Sequence, residues 1–442
     1  MVSVNKNHAL AFLCMIIALA LCVGHIAGNR ILIILSMALF LGGIVYTSLK
    51  GKVLHLICFF LPWAPLIKFE PETMSIYTVG LIGACLVTWI RYRISFQRNI
   101  LPAVALIVFT LTVRLFYGLG IDNSFIMFGI MLMLFPIVGK DLHKTYDFSS
   151  FLFFFSIGVI SAALSAYYLV KYPTIARFID VFSWSEITRY SGFYGDANFY
   201  SAHISAALAG YLIIMGTGAK KMGNAIVMSL ILLYCGLLAA SKSFIITLVL
   251  MLLIWIFQLL FTKKSGSRKI LIIILVAALV AAIVASGIFA DLFNIIISRF
   301  ESASNLSELT TGRSTIWMNY LRYLSHNLEV LLFGKGYINA LVDGRASHNT
   351  ILQGVYQFGI VGVVILIAWL KKLFEITLYN VKIDRKQYLQ CAILLIGVFL
   401  PWMSIDLLFF DEFFLMMFYV SLGFKRISEQ KDDVVDKNDL EQ

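Results

Sequence analysis

Apolar residues run along this chain in blocks of roughly twenty, broken by short polar turns, with little of the two-residue alternation that marks half-buried strands. The blocks fall near 8–27, 31–49, 52–67, 74–90, 99–117, 123–139, 148–170, 197–216, 222–239, 242–261, 270–290, 348–370, 387–405 and 407–424. A bilayer core about 30 Å thick takes ~20 apolar residues per helix, so the pattern predicts an all-α polytopic membrane protein with about fourteen transmembrane helices. Two long polar interruptions stand out, at 171–196 and 291–347. In the second, Phe293, Ile296, Ile297 and Phe300 recur at helical spacing, as do Ile316, Trp317, Tyr320, Leu321 and Leu324. That spacing predicts two amphipathic helices lying on the membrane surface. The first block is longer than a signal-peptide core and ends without a clean small-x-small site, which favours a retained helix.

Composition agrees with the pattern. Hydrophobic residues make up 60% of the chain and charged residues 13%, with a mean hydropathy of +0.90. The net charge of +11 has a topological cause. With the N-terminus cytoplasmic, the inner loops and tail collect roughly two thirds of the Lys and Arg residues, as the positive-inside rule requires. Nucleic acid therefore need not be invoked, and the basic inner face also suits anionic lipid headgroups. Parity places loops 171–196 and 291–347 outside the cell membrane, so their basic residues are not explained by topology. Residues 1–424 read as one integral membrane domain, and 425–442 as a disordered cytoplasmic tail rich in acidic residues. All six cysteines fall inside apolar blocks, so no disulfide framework or CxxC metal site is indicated. No internal repeat of the transporter kind is evident.

The chemistry-bearing residues gather in the two outer loops. Thr310 or Thr311 with Gly312 starts the second amphipathic helix and puts Arg313 in its first turn, where a cation opposes the helix dipole. Snorkelling, or pairing with Glu308, is the plain alternative. In DGRASHNTILQGVYQFGIVG, Ser347 or Asn349 caps the next membrane helix and leaves His348 at its outer mouth, between Arg345 and Asn349. A helix N-terminus opposes positive charge on an imidazole, which suits a general base; a capping or interfacial histidine is the plain alternative. The other loop holds SEITRYSGFYGDANFYSAH, in which Arg189 precedes a turn-rich run ending at Asn198. An arginine beside small residues suits a phosphate, and pairing with Asp180 or Glu186 explains it equally. Lys242, between two apolar blocks, and Arg114, near the outer end of the fifth, are boundary cations that need a partner, a wet cavity or a snorkelling path. Asp411-Glu412, the outer acidic pair, reads as a solvated helix end. No outer-loop DxD motif or His/Cys cluster calls for a metal.

In their order along the chain, RYSGFYGDAN, SKSF, TGRSTIW, FGKGY and SHNTILQGVYQFG resemble the O-antigen polymerase and O-antigen ligase superfamily of bacterial envelope glycosyltransferases. The resemblance covers about 189–362, with membrane helices on both sides. It implies a GT-C-like membrane fold in the bacterial cytoplasmic membrane, with the site facing outward and no cofactor. The implied donor is an undecaprenyl-diphosphate-linked glycan. A polymerase passes it to another lipid-linked repeat, as for O-antigen, capsule or exopolysaccharide; a ligase passes finished polymer to lipid A core. Flippase and chain-length regulator are the expected protein partners. By position, the resemblance assigns Arg189, Lys242 and Arg313 to the diphosphate and His348 to the proton of the acceptor, with Asn349, Asn198, Arg345 and Arg114 in support. Ligase-like members commonly carry Arg where this chain has Lys242, so bidentate recognition is lost there. That departure and the helix count favour the polymerase. A lipid-linked oligosaccharide flippase is the alternative of another class; the placing of the polar groups at outer loops rather than at mid-membrane speaks against it.

Overall fold

The computed structural model describes residues 2–71, 73, 75–92, 100–139, 142–179, 183–184, 187–216, 222–261, 294, 297, 310, 312–338, 341–408 and 411–429. The apolar blocks become helices: α1 (Val2–Ile26), α2 (Arg30–Leu49), α3 (Val53–Phe60), α4 (Ile76–Tyr92), α5 (Leu101–Phe116), α6 (Asn123–Gly139), a short α7 (Leu142–Thr145) and α8 (Phe148–Leu169). A one-turn α9 (Pro173–Ala176) and a hairpin of β1 (Ser183–Trp184) with β2 (Ile187–Thr188) lie in the first long loop. Then come α10 (Ala197–Gly216), α11 (Met222–Leu238) and α12 (Lys242–Phe261). After 262–309 the described chain continues with α13 (Arg313–His326), α14 (Leu328–Phe333), the hairpin β3 (Leu341–Val342) and β4 (Arg345–Ala346), α15 (Thr350–Thr377), α16 (Tyr388–Phe399) and α17 (Asp411–Glu429).

Among the described residues, seven helices are long and apolar enough to cross a membrane, and five shorter apolar helices accompany them. Large apolar side chains such as Phe116, Ile31 and Leu101 point away from the packed core, as lipid-facing residues do. The chain is thus an all-helical protein of the membrane-embedded kind. The expected span at 270–290, the first surface helix near 293–300 apart from 294 and 297, and the tail beyond 429 lie outside the described residues. The block at 52–67 is helical for eight residues before a 3-10 turn at Leu61–Trp63 and is one of the five shorter apolar helices. Pro62 and Pro65 stop it there, and every residue of α3 is buried against its neighbours.

The second long loop packs a small core of its own. Tyr320 and Leu324 of α13, Val330 of α14 and Val342 of β3 close on Tyr356 of α15. Two glycines let the backbones approach. Gly334 ends α14 at φ 78°, and Gly359 breaks α15 at φ 62° and ψ −179°, a conformation open essentially to glycine alone. The carbonyls of Tyr356 and Gln357, freed by that break, accept from the N–H groups of Lys335 and Gly336, both at 2.9 Å. A Cβ at Gly359 would overlap the backbone of Leu332 and Phe333. Gly359→Ala is therefore expected to cost about 3 kcal/mol or more. Gly42→Ala, in an open stretch of α2, is expected to be neutral or stabilising. Thermal unfolding of the two variants in one detergent checks both.

Candidate functional site

The loop that enters α10 lies on the turn joining α11 to α12. Arg189 Nε donates to the Ala239 carbonyl at 3.3 Å, and the Tyr190 N–H donates to Leu238 at 3.3 Å. Asp196 accepts from the Asn198 backbone N–H at 2.7 Å and from its side-chain amide at 2.6 Å. The Asn198 side-chain Oδ1 in turn accepts from Ser241 Oγ at 2.8 Å. This bracket fixes Arg189 and Asp196 beside the turn from which Lys242 starts α12. Asn198 is fully committed to the bracket, so its role is to hold the loop.

Arg313 comes from the opposite side. Gly312, at φ 78°, precedes α13, and Thr310 Oγ1 accepts from the Ser314 N–H at 3.0 Å. Arg313 is the first residue of the helix, as its spacing predicts. Its charge interacts with Asp196, Arg189 and Asp406, which joins it to the Arg189 loop across more than a hundred residues of sequence. Burial pushes both guanidinium groups below the ordinary arginine range. Asp196 offsets this at both; at Arg313, Arg189 adds to it and Asp406 offsets it. Since arginine keeps its proton in proteins, the shift expresses the cost of holding two like charges partly out of water. An anion between them relieves that cost with charge-assisted, bidentate bonds. The N-terminus of α13 adds to the attraction.

His348 hangs from a third element. Asn349 caps α15, its side-chain oxygen accepting from Ile351 and Leu352 at 3.0 and 3.2 Å. Ser347 does not take the cap; its hydroxyl donates to Asp406 Oδ1. Asp406 also accepts from the backbone N–H groups of His348 at 3.1 Å and Asn349 at 2.9 Å. Ser347, His348 and Asn349 thus wrap around one carboxylate, and His348 is held at φ 47°. Strain of that kind persists where the surroundings over-determine it. The same loop is tied to α13: Trp317 Nε1 donates to the Ser347 carbonyl at 3.1 Å and Tyr320 Oη to the Arg345 carbonyl at 2.8 Å. The imidazole is half-exposed, and among the described residues it has no hydrogen-bond partner.

The electrostatic neighbours of Arg313 are Asp196, Arg189 and Asp406, Asp406 holds the His348 loop, and Lys242 starts α12 just after the turn on which Arg189 rests. Among the described residues, the two arginines face two carboxylates, Asp196 and Asp406, each already engaged. Two sequence-derived supports lie elsewhere. Arg114 is 2% exposed and does not snorkel: it binds Asp122 Oδ2 at 2.8 Å, the Gly120 carbonyl at 2.7 Å and the Tyr337 carbonyl. It braces FGKGY against the α5–α6 turn. Arg345 is exposed on the β3–β4 hairpin and contributes its carbonyl. Glu308, Asp180 and Glu186, the alternative partners for the two arginines, lie outside the described residues. Asp406 escaped sequence reasoning, although a lone acid in a tight break between apolar blocks is a usable signal. The reading of Asp411-Glu412 as a solvated helix end is corrected: Glu412 is 7% exposed, because α17 starts inside the bundle rather than at its edge.

No protein-family model and no curated protein matches the chain.

Proposed function

We propose that the protein is a polysaccharide polymerase of the outer face of the bacterial cytoplasmic membrane. It transfers a growing undecaprenyl-diphosphate-linked glycan to another lipid-linked repeat unit. The observation that supports this reading most is the electrostatic coupling of Arg313 to Arg189, Asp196 and Asp406, with Asp406 also holding the His348 loop. A lipid-diphosphate donor already carries a good leaving group, so the enzyme has to orient an acceptor hydroxyl, take its proton and meet charge as it develops. In this scheme His348 removes the hydroxyl proton as the acceptor oxygen bonds to the anomeric carbon. The bond from that carbon to the diphosphate oxygen breaks, its electron pair leaving with the lipid diphosphate. Arg189, Arg313 and Lys242 neutralise the leaving group, and direct displacement inverts the anomeric centre.

The same proposal includes about fourteen membrane spans with a cytoplasmic N-terminus, a GT-C-like arrangement, and partnership with a flippase and a chain-length regulator. The ligase reading shares the chemistry and differs in the acceptor. Deleting the protein from its host discriminates the two. Surface polymer reduced to a single repeat unit supports the polymerase; free polymer absent from lipid A core supports the ligase and contradicts the assignment.

A further inference from the structure

Trp317 is a large aromatic side chain that neither hydrophobic core uses. Helix α13 gives Tyr320 and Leu324 to the smaller core, with Ile316 and Tyr323 packed against it, while Trp317 belongs neither to that core nor to the larger one. The residue is half-exposed, and among the described residues no aromatic ring stacks on it. Burying a tryptophan removes about 150–250 Å² from water, so leaving one partly uncovered forgoes a large contribution to packing. Its polar edge is nevertheless fixed, because Nε1 donates to the Ser347 carbonyl at 3.1 Å. That carbonyl belongs to the peptide unit joining Ser347 to His348, whose N–H donates to Asp406 Oδ2 at 3.1 Å. One peptide unit is thus clamped from both sides, by an indole and by a carboxylate, and His348 is attached to it. Arg313, Trp317 and Tyr320 follow one another at i, i+4 and i+7 and share a face of α13. Tyr320 shows where that face is turned, since its Oη donates to the Arg345 carbonyl at 2.8 Å. Trp317 therefore stands about 6 Å along the helix axis from Arg313, on the same face, and is tied to the His348 loop.

We propose that Trp317 is the floor of a sugar subsite, on which a pyranose ring of the acceptor glycan stacks with the reacting hydroxyl turned to His348. This subsite rests on the polymerase reading of the site. The pyranose face that presents axial C–H groups is apolar and weakly positive, and it lies flat against the negative face of an aromatic ring. The hydroxyls at the rim of the sugar stay free for water or for the imidazole. The hydrogen bond to Ser347 sets the register: a sugar seated on the indole is held at a fixed position relative to the peptide that carries the base. Because the tie is to the base, and the base takes the acceptor's proton, the sugar on Trp317 is the acceptor's rather than the donor's. A tryptophan serving only as an anchor in the headgroup layer has no use for a bond to the His348 loop and is indifferent to free sugar.

The test uses the full chain in lipid nanodiscs and two probes: the repeat-unit oligosaccharide released from the host's surface polymer, free of lipid and diphosphate, and undecaprenyl diphosphate without sugar. The wild type is expected to bind the oligosaccharide with a change in tryptophan emission and to accept glycan onto it from a lipid-linked donor. Trp317→Leu, which removes the ring, is expected to raise the KM for the oligosaccharide about tenfold, with donor KM and affinity for undecaprenyl diphosphate unchanged within about twofold. The unchanged lipid-diphosphate affinity also shows that the variant is folded. Trp317→Phe keeps a ring and loses the N–H, so most of the affinity is retained and the emission change is lost. Equal defects in the two variants assign the role to the hydrogen bond and overturn the subsite, as does a raised donor KM, which places the ring on the donor side. Arg313→Ala separates this failure from a failure of the site assignment. If Arg313→Ala abolishes binding of undecaprenyl diphosphate while the oligosaccharide ignores the wild type, or treats it and Trp317→Leu alike, only the sugar subsite falls. If the wild type does not bind undecaprenyl diphosphate, both fall.

Discussion

His348→Ala is expected to lower glycan transfer about a thousandfold, in line with the loss of a general base, while insertion and thermal stability stay near wild type. The stability half of that expectation follows from the geometry. The backbone of His348, not its ring, is what Asp406 holds, and the helix cap belongs to Asn349. Removing the imidazole thus leaves Ser347, Asn349 and their carboxylate in place. The φ of 47° lies in the left-handed region for histidine as for alanine, so the substitution adds little strain and should shift the melting temperature only slightly. Donor affinity should hold, because no described contact joins the ring to Arg189 or Arg313. Turnover counted from released lipid diphosphate, beside a binding isotherm, separates the two effects. Near-wild-type turnover would remove His348 from the mechanism.

The second large effect is expected at Arg313. Arg313→Ala removes one of the two guanidinium groups that the proposed function sets against the diphosphate, and donors aimed at developing charge are worth about 10²–10³ in rate. Both donor affinity and kcat should fall, since the diphosphate gains charge on leaving. Arg313→Lys should recover part of the affinity and little of the rate, because an ammonium cannot form the bidentate pair. The fold should tolerate either change: Arg313 is the first residue of α13 and opposes the helix dipole there. A salt titration adds a further check, since an exposed rim charge loses its influence at high ionic strength and a half-buried pair does so less. Full activity in Arg313→Ala would move the diphosphate elsewhere.

The helices were readable because lipid demands one signal, about twenty apolar residues in a row, and this chain supplies it repeatedly. Local chemistry was readable too. Gly312 and Thr310 announced the start of α13, and Asn349 was one of two expected caps for α15. What stayed hidden depends on tertiary partners. Nothing near Asp406 in sequence says that its carboxylate will collect amides 58 residues upstream. Asp411-Glu412 looks like a polar helix end until α4, α10 and the Arg189 loop are seen around it. Arg114 looked like a site cation and proved to be the brace of a loop, because its partners are carbonyls contributed by two distant turns. Gly359 gave no hint that it breaks α15, since a glycine inside an apolar run is common in membrane helices. Sequence placed most of the charged groups on the correct loops; packing decided which of them face one another.

The most direct measurement is transfer by the purified protein in vesicles with no ion gradient, supplied with undecaprenyl-diphosphate-linked repeat units. A polymerase built on Arg189, Arg313 and His348 lengthens the glycan and releases undecaprenyl diphosphate in step with each repeat added, and the His348→Ala protein does neither. Movement of intact lipid-linked repeats across the bilayer, with no change in glycan length, would contradict the account.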